Sequence, residues 1–466
     1  MLNRSVWIVS PLPCKSPRRS ILLGAIFATA ILALPAQAPA APLPAEAVRN
    51  ALVAAGPRDG EIAAFYASRQ HRPLWLAGNG LRPEAQRVVD LAAGAAADGL
   101  NPADYGAAEL AAAVADARRG SAGALARAEI LLSRALAAYV GDLRGSGAAG
   151  MAYVDPALAP RPASIRSVLI GAANTTRLGE YIDELVRMNP VYAQLRQAAA
   201  RQIARSGSLS PSEAALIRVN LDRARALPAD PGRRFILVDA ASARLWLYED
   251  GAVRDTMRVV VGKQTEQTPL MAGMIRNVTL NPYWNVPPDL VQRRIAPNVL
   301  SQGLTYLRTA GYQVLSDWSE DARVIDPATI DWAAVAAGRR ELAVRQLPGP
   351  RNAMGRMKFM FPNTQGIYLH DTPDKARFEQ ADRRQSSVCV RGEDADRLAA
   401  CLCGRDPGNG SDRPEQSVAL GEPVPVYITY MTAAPERGRI AFRLDVYGRD
   451  RALVAQLGGG SASGAP

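Results

Sequence analysis

The stretch "HDTPDKARFEQADRRQSSVCVRG", His370 to Gly392, holds the residue types best suited to covalent chemistry. A free cysteine thiol ionises at about 8.5 and becomes a useful nucleophile when a histidine takes its proton or stabilises the thiolate. Histidine occurs only twice, at His71 and His370, and His370 precedes Cys389 by nineteen residues. His370 closes the apolar run "GIYLH", which reads as a strand, and the polar loop that follows is long enough to bring Cys389 back beside that strand end. Spacing alone leaves two readings open: a catalytic thiol–imidazole pair, or a packed thiol with an unrelated surface imidazole.

Rival chemistries find less support. The chain has no Walker motif, no glycine-rich dinucleotide fingerprint and no His-Glu-x-x-His, and two histidines without a Cys-x-x-Cys argue against zinc, so neither metal nor organic cofactor is expected. A papain-like arrangement fails because no histidine follows Cys389. Of the four cysteines, Cys14 lies in the N-terminal leader, which leaves Cys389, Cys401 and Cys403, an odd number that does not suit a disulfide scaffold. Cys401 and Cys403 fall in "RLAACLCG", read as a helix end, where residues two apart point in different directions and serve best as packed thiols. A redox role for Cys389 with either of them is the lesser alternative.

The elements that must position such a site follow from periodicity. From about Pro44 to Leu227 the pattern is helical: Leu125, Leu132, Leu136, Tyr139, Val140 and Leu143 form one apolar stripe, and Ser210-Pro211-Ser212-Glu213 is a capping box with proline at the first helical position. "LPADPGRR" breaks the pattern. After Arg234 the period becomes two, and "FILVDAASARLWLYEDGAVRDTMRVVVGK" reads as a three-stranded meander with turns at Ala240-Ala241-Ser242 and Glu249-Asp250-Gly251. Further strands are expected at Met274 to Leu280, Gly366 to His370, Val424 to Met431 and Ile440 to Tyr447, with a polar, partly helical insertion over 289–345 and a disordered Gly/Ser/Ala tail over 457–466. The fold class is thus α+β: an all-helical N-terminal domain, then a mostly-β domain carrying a helical insertion.

Composition bounds the partners. With 466 residues, 48% hydrophobic and 21% charged, the chain can bury two or three domains. Its net charge of +11 is almost wholly arginine, since lysine stands only at Lys15, Lys263, Lys358 and Lys375; with abundant alanine this reflects codon usage, and no nucleic-acid partner is expected. The leader over 1–40 reads as an export signal, with Lys15, Arg18 and Arg19 ahead of the apolar run Ile21 to Leu34 and small residues at Ala38-Pro39-Ala40. The mature chain would start near Ala41 and work in the periplasm, with general or twin-arginine export both open and membrane contact only if the leader stays uncleaved.

"IYLHDTPDKARFEQADRRQSSVCVR" resembles the active-site segment of bacterial L,D-transpeptidases, and the likeness extends across the chain. "VVVGKQTEQTPLM", "LNPYWNVPP", "RQLPGPRNAMGRMKFMFPN", "PVPVYITYMTA" and "DVYGRD" follow in that family's order, while "FYASRQHRPLWL" and "DGLNPADY" resemble the helical scaffold domain of its large periplasmic branch. The implied organisation is a scaffold domain over 44–190, a helical linker over 191–230 and a catalytic domain over 231–450, with 289–345 as a capping insertion. The implied chemistry is an acyl-enzyme on Cys389 formed from a peptidoglycan stem peptide, with His370 as base and backbone N–H groups of Cys389 and a neighbour as oxyanion hole. Arg391 would bind a substrate carboxylate or favour the thiolate, unless it is a strand-edge surface arginine. Tyr368 and Asp371 flank the base and would orient it, unless a backbone carbonyl does so. Ser387 would shape the loop, and Tyr283 and Trp284 would line the cleft or simply pack. His71 is read as structural.

Two departures stand out. Where the family usually has glycine before the nucleophile, this chain has Val388, which either sits in an extended loop or distorts the oxyanion hole. Tyr192 to Leu227 is also too short for the peptidoglycan-binding module that relatives carry there. The reading is therefore an exported transpeptidase, a carbapenem target acting on stem peptides beside other wall synthases. Its alternatives are a carboxypeptidase or endopeptidase, or a wall-binding scaffold with an impaired site.

Overall fold

The computed structural model describes residues 45–55, 60–145, 147–408, 413–436 and 438–458. The expected export leader lies outside them. Of the expected tail over 457–466, Leu457 and Gly458 close a final helix, Asp450–Gly458, and the rest lies outside the described residues. Among the described residues no helix is long and apolar enough to cross a membrane.

The helical layer is organised on Ala122–Arg144, whose N-terminus is capped by Ser121 Oγ accepting from the Ala124 N–H at 3.1 Å. The predicted stripe from Leu125 to Leu143 is buried, and Ile130 and Leu131 are buried as well, because neighbouring helices surround this one. Glu129 is buried at its centre and accepts from Tyr66 Oη at 2.7 Å and the Trp75 N–H at 3.0 Å, while burial pushes its carboxyl up. These bonds hold the turn after helix Gly60–Ser68, where Gln70 and His71 both take positive φ. The capping box on Pro211–Arg225 is formed by both of its reciprocal bonds.

The N-terminal half is not purely helical, however. Leu76–Ala77 pairs with Gly80–Leu81, and Ala152–Tyr153 joins the edge of the large C-terminal sheet parallel to Met271–Leu280. Two-residue strands carry no readable period, which is why the sequence pattern passed over them.

The meander forms as expected over Arg234–Asp239, Arg244–Glu249 and Ala252–Gly262. Asp250 and Gly251 both have positive φ, as a tight hairpin turn requires. Around it the sheet runs Met357–Met360, Leu369–His370, Val390–Gly392, the meander in reverse order, Gln416–Thr429, Met271–Leu280 and Ala152–Tyr153. Met357–Met360 also pairs with Met271–Leu280, so the sheet closes on itself. Period two splits its core: Phe235, Leu237 and Tyr427 pack on the helices, while Ile236, Val238, Val426 and Ile428 fill the closed interior. The expected strand from Gly366 narrows to Leu369–His370, and that from Ile440 to Arg439–Phe442.

The insertion is not simply helical. Short helices at Ala296–Gln302, Thr305–Ala310 and Trp332–Ala336 pack on a four-stranded antiparallel sheet of Val324–Ile325, Tyr312–Leu315, Ala343–Gln346 and Trp284–Val286. Its own core includes Val286, Val299, Trp332 and Val344. Strands this short in polar sequence leave too few alternations to read.

Helix Pro211–Arg225 is locked to the C-terminal segment by buried charge. Arg223 meets Asp450 at 2.7 Å, with Thr432 Oγ1 also donating to Asp450 at 3.0 Å and Asn220 donating to Thr432 Oγ1 at 2.9 Å. Removing one member of such a pair strands the other in a dry site, at about 3–5 kcal/mol. Asp450→Ala is therefore expected to lower the unfolding free energy measured in urea by that order, and Arg223→Met with Asp450→Leu to recover most of it; equal losses in both proteins would show that the pair is not what joins the layers.

Candidate functional site

Two adjacent parallel strands set the site. Leu369 pairs with Val390 and His370 with Arg391. Alternation then puts Tyr368, His370, Cys389 and Arg391 on one face, while Leu369 and Val390 point into the core. That face opens into a cavity of about 540 Å³ lined on the other side by the insertion, including Trp284, Asn285, Arg294 and Tyr312. Tyr283 is not in the lining; it lies beneath Arg345, whose guanidinium sits 4.3 Å from its ring centre.

His370 is buried, and its Nδ1 lies 2.5 Å from the Asp371 carbonyl oxygen. The orienting group is thus a backbone carbonyl; the Asp371 carboxylate turns away, accepting from the Arg356 N–H at 2.8 Å and Lys375 Nζ at 2.6 Å. With Nδ1–H spent, Nε2 is the nitrogen left to accept a proton. Burial, then the nearby charge of Arg391, pushes His370 down to about 3.

Burial raises Cys389 above its ordinary range, offset in part by hydrogen bonding from the Tyr368 backbone and by Arg391. Its Sγ lies 3.6 Å from the Gly366 carbonyl oxygen, so that carbonyl, not the imidazole, is its hydrogen-bond partner. Burial thus disfavours the charged form of each partner.

Val388 is left-handed, with φ of 60°, so the loop is not extended at this position. The Cys389 N–H donates to the Ser387 carbonyl at 2.8 Å, an i to i−2 bond that makes Ser387–Cys389 a γ-turn about the valine. A β-branched residue there carries strain of about 1–3 kcal/mol. The Val388 N–H donates to the Glu266 carbonyl at 3.3 Å and the Val390 N–H to the Tyr368 carbonyl at 2.9 Å. The N–H groups expected to form an oxyanion hole are therefore all engaged within the protein.

The brace for this turn comes from residues whose role the sequence did not disclose. Thr268 Oγ1 donates to the Val388 carbonyl at 2.7 Å and accepts from the Gly262 N–H at 2.8 Å. A Cβ on Gly262 would stand 2.2 Å from the Glu266 carbonyl oxygen, so only glycine lets the loop 263–268 fold back this tightly. Ser387, Lys263 and Arg293 hold the Glu266 carboxyl below its usual range. The quoted motif "VVVGKQTEQTPLM" contains these residues, but nothing in their types points at a turn 120 residues away.

Arg391 is not an edge residue. Its strand lies between Leu369–His370 and Ala252–Gly262, and its Nε is buried without a hydrogen-bond partner. Among the described residues no group of three His, Cys, Asp or Glu side chains could hold a metal ion. Cys401 and Cys403 end helix Ala395–Cys403, half-buried and unbridged.

Two measurements test this geometry. Val388→Gly removes the strain and should raise stability by about 1 kcal/mol in urea unfolding, after the entropic cost of glycine; a loss would show that the valine side chain contributes more than its backbone costs. For His370, the unfolded imidazole takes a proton below about 6.5 and the folded one only near 3, so the folded state loses stability as pH falls through that window. His370→Gln should flatten this slope by up to one proton. An unchanged difference between the two proteins across pH 6.5 to 3 would mean that the ring is solvated.

Comparison with known proteins agrees with the architecture. Residues 60–198 match a scaffold domain family and residues 233–426 the L,D-transpeptidase catalytic domain family. A Haemophilus influenzae protein, provisionally named an L,D-transpeptidase, is 30% identical over 403 residues, covering 84% of this chain and 78% of its own. Among solved structures, an Enterococcus faecium L,D-transpeptidase mutant is 14% identical over 47% of this chain and 64% of its own, at a TM-score of 0.22. An L,D-transpeptidase from Mycobacterium smegmatis is 11% identical over 43% and 60%, at 0.21. This chain spans less than two thirds of each of those two. The order of scaffold and catalytic domains, together with the Haemophilus relative matched over most of both lengths, places this chain in the L,D-transpeptidase family.

Proposed function

We propose that the protein is an exported L,D-transpeptidase of the periplasm that cross-links peptidoglycan stem peptides through a thioester on Cys389. The observation that supports it most is the shared face of Tyr368, His370, Cys389 and Arg391, opening into a cavity of about 540 Å³ beneath the insertion. Family membership supplies the substrate class.

In this reading Cys389 turns from the Gly366 carbonyl toward His370. Nε2 takes the thiol proton as sulfur adds to the carbonyl at the L-centre of the donor. The tetrahedral species collapses, the bond to D-alanine breaks, and the imidazolium returns the proton to the leaving amine. An acceptor amine then attacks the thioester, His370 takes its proton, and the thiol is restored. Burial disfavours the charged form of both partners, so in this reading proton transfer accompanies attack. Water in place of the amine would give a carboxypeptidase or endopeptidase from the same residues.

The oxyanion requires a donor. The Cys389 N–H supplies it only if the γ-turn opens and releases the Ser387 carbonyl, a change that also relaxes Val388. One such donor is worth about 2.7–4 kcal/mol of barrier. That constraint favours, as the second reading, a wall-binding scaffold protein whose site no longer turns over.

Intact-protein mass spectrometry with a disaccharide-tetrapeptide donor, beside Cys389→Ala, separates them. The enzyme reading expects an acyl adduct short of D-alanine and a cross-linked dimer in the presence of acceptor, both absent in the alanine protein. A folded chain that forms neither adduct nor dimer, with Val388→Gly restoring both, would establish the scaffold reading.

A further inference from the structure

The charges lining the cleft are not evenly matched. Its acids are already engaged: Glu266 and Asp289 both meet Arg293, and Asp374 meets Arg377. Arg351 donates to the Thr309 carbonyl. Arg294 and Arg391 are different. Arg294 makes no hydrogen bond or ion pair among the described residues, and the Arg391 Nε is buried without an acceptor.

The two arrive from opposite walls. Arg391 comes from the sheet, two residues beyond Cys389 and on the same face. Arg294 comes from the insertion, on the single π-helical turn Val291–Ile295 that links Pro288–Leu290 to Ala296–Gln302. Val291 and Ile295 fill the insertion core, so the turn is anchored and offers Arg293 and Arg294 outward. A π-turn shifts the residues that follow it around the helix axis and recurs at functional sites. Both line the same cavity, and burial, then the like charges of Arg377 and Arg294, hold the Arg391 guanidinium below its ordinary range. An unpaired guanidinium in a partly dry site is costly, and a planar anion offering two oxygens is the group that best offsets it.

We propose that Arg294 of the insertion and Arg391 of the sheet together bind a free carboxylate of the donor peptide, making the enzyme selective for donors that keep this group over those in which it is amidated. This rests on the transpeptidase reading for the identity of the anion, and not for the existence of the anion site. In a donor stem the carboxylate is either that of the terminal D-amino acid or that of the side chain at the attacked residue; both are the same ligand chemistry. Arg391 is close enough to the thiol to act on its charge, so the carboxylate it holds lies near the reacting carbonyl. Arg294, on the insertion, makes closure of the cleft and capture of the anion one event.

The anion site can be read without any turnover. Iodoacetate and iodoacetamide alkylate Cys389 by the same step: sulfur bonds to the methylene, iodide leaves, and the thiol proton passes to solvent. They differ only in the carboxylate, and peptide-resolved mass spectrometry separates Cys389 from Cys401 and Cys403. The iodoacetate-to-iodoacetamide rate ratio at Cys389 should exceed that at Cys401 several-fold. Arg294→Gln should lower it about threefold or more, and Arg294→Lys should restore part of it. A ratio that Arg294→Gln leaves unchanged overturns the proposal.

Donor peptides then identify the source. Amidating the terminal carboxylate in one donor and the side-chain carboxylate in another should slow acylation of the unmodified protein in one case only, and that difference should vanish in Arg294→Gln. Equal acylation of all donors overturns the selectivity. No acylation by any donor, with the alkylation ratio still dependent on Arg294, would count against the transpeptidase reading while leaving the anion site standing.

Discussion

The hydrogen bond from the Thr268 hydroxyl to the Val388 carbonyl is the constraint on which the rest of the site depends. It fixes the peptide that follows a β-branched residue in the left-handed region, a conformation valine does not adopt unaided. Thr268 is itself fixed, because the Gly262 N–H donates to it and the Tyr447 hydroxyl donates to the Gly262 carbonyl. Arg449 donates to the Thr268 carbonyl at 3.0 Å and stacks on Tyr447 at 4.8 Å. The next residue, Asp450, receives Arg223 from the helical layer. A continuous set of bonds thus runs from helix Pro211–Arg225 through the C-terminal segment to the peptide before Cys389. The helical domain is part of what holds the turn, which explains why it shares a hydrophobic core with the sheet in place of hanging from a flexible linker.

Electrostatics push the two reactive groups the same way. Burial favours the uncharged form of each, raising the thiol and lowering the imidazole, and Arg391 acts oppositely on them: it eases ionisation of Cys389 and discourages protonation of His370. One arginine therefore cannot stabilise a thiolate–imidazolium pair as a unit. What it stabilises is negative charge, wherever that appears: on sulfur briefly, on a carboxylate, or on an oxygen developing beside it. An anion seated on Arg391 would reverse its effect on the imidazole and make His370 easier to protonate when the thiol proton arrives.

Much of this was legible in the sequence. The alternation in "GIYLH" and "SVCVR" already puts Tyr368 with His370 and Cys389 with Arg391, and only the pairing of the two runs had to come from the fold. The meander, the capping box at Ser210 and the stripe from Leu125 to Leu143 follow local rules and form as read. What stayed hidden depends on contacts distant in sequence. Thr268 looks like any hydroxyl before a proline, Ala152–Tyr153 is too short to show a period, and the strands of the insertion are two to four residues in polar surroundings. Val388 lies between. Its type announced a conflict with a glycine position, but only backbone geometry shows that the conflict is met by strain and a spent Cys389 N–H.

The turn and the insertion meet at Glu266. Its carboxylate receives Arg293 from the insertion at 3.2 Å and lies beside Ser387, while its backbone carbonyl takes the Val388 N–H. The strengths of these links differ. Arg293 is half exposed, and an ion pair of that kind contributes about 0.2–1 kcal/mol. Stripping the half-buried Val388 carbonyl of its hydroxyl partner costs at most about 1–3 kcal/mol. The ion pair therefore ties the insertion to the turn weakly, while the hydroxyl bond keeps the turn in shape. In the transpeptidase reading, the strain at Val388 is of the same order as the bond that restrains it, so release of the Cys389 N–H becomes favourable only once a developing oxyanion is there to receive it.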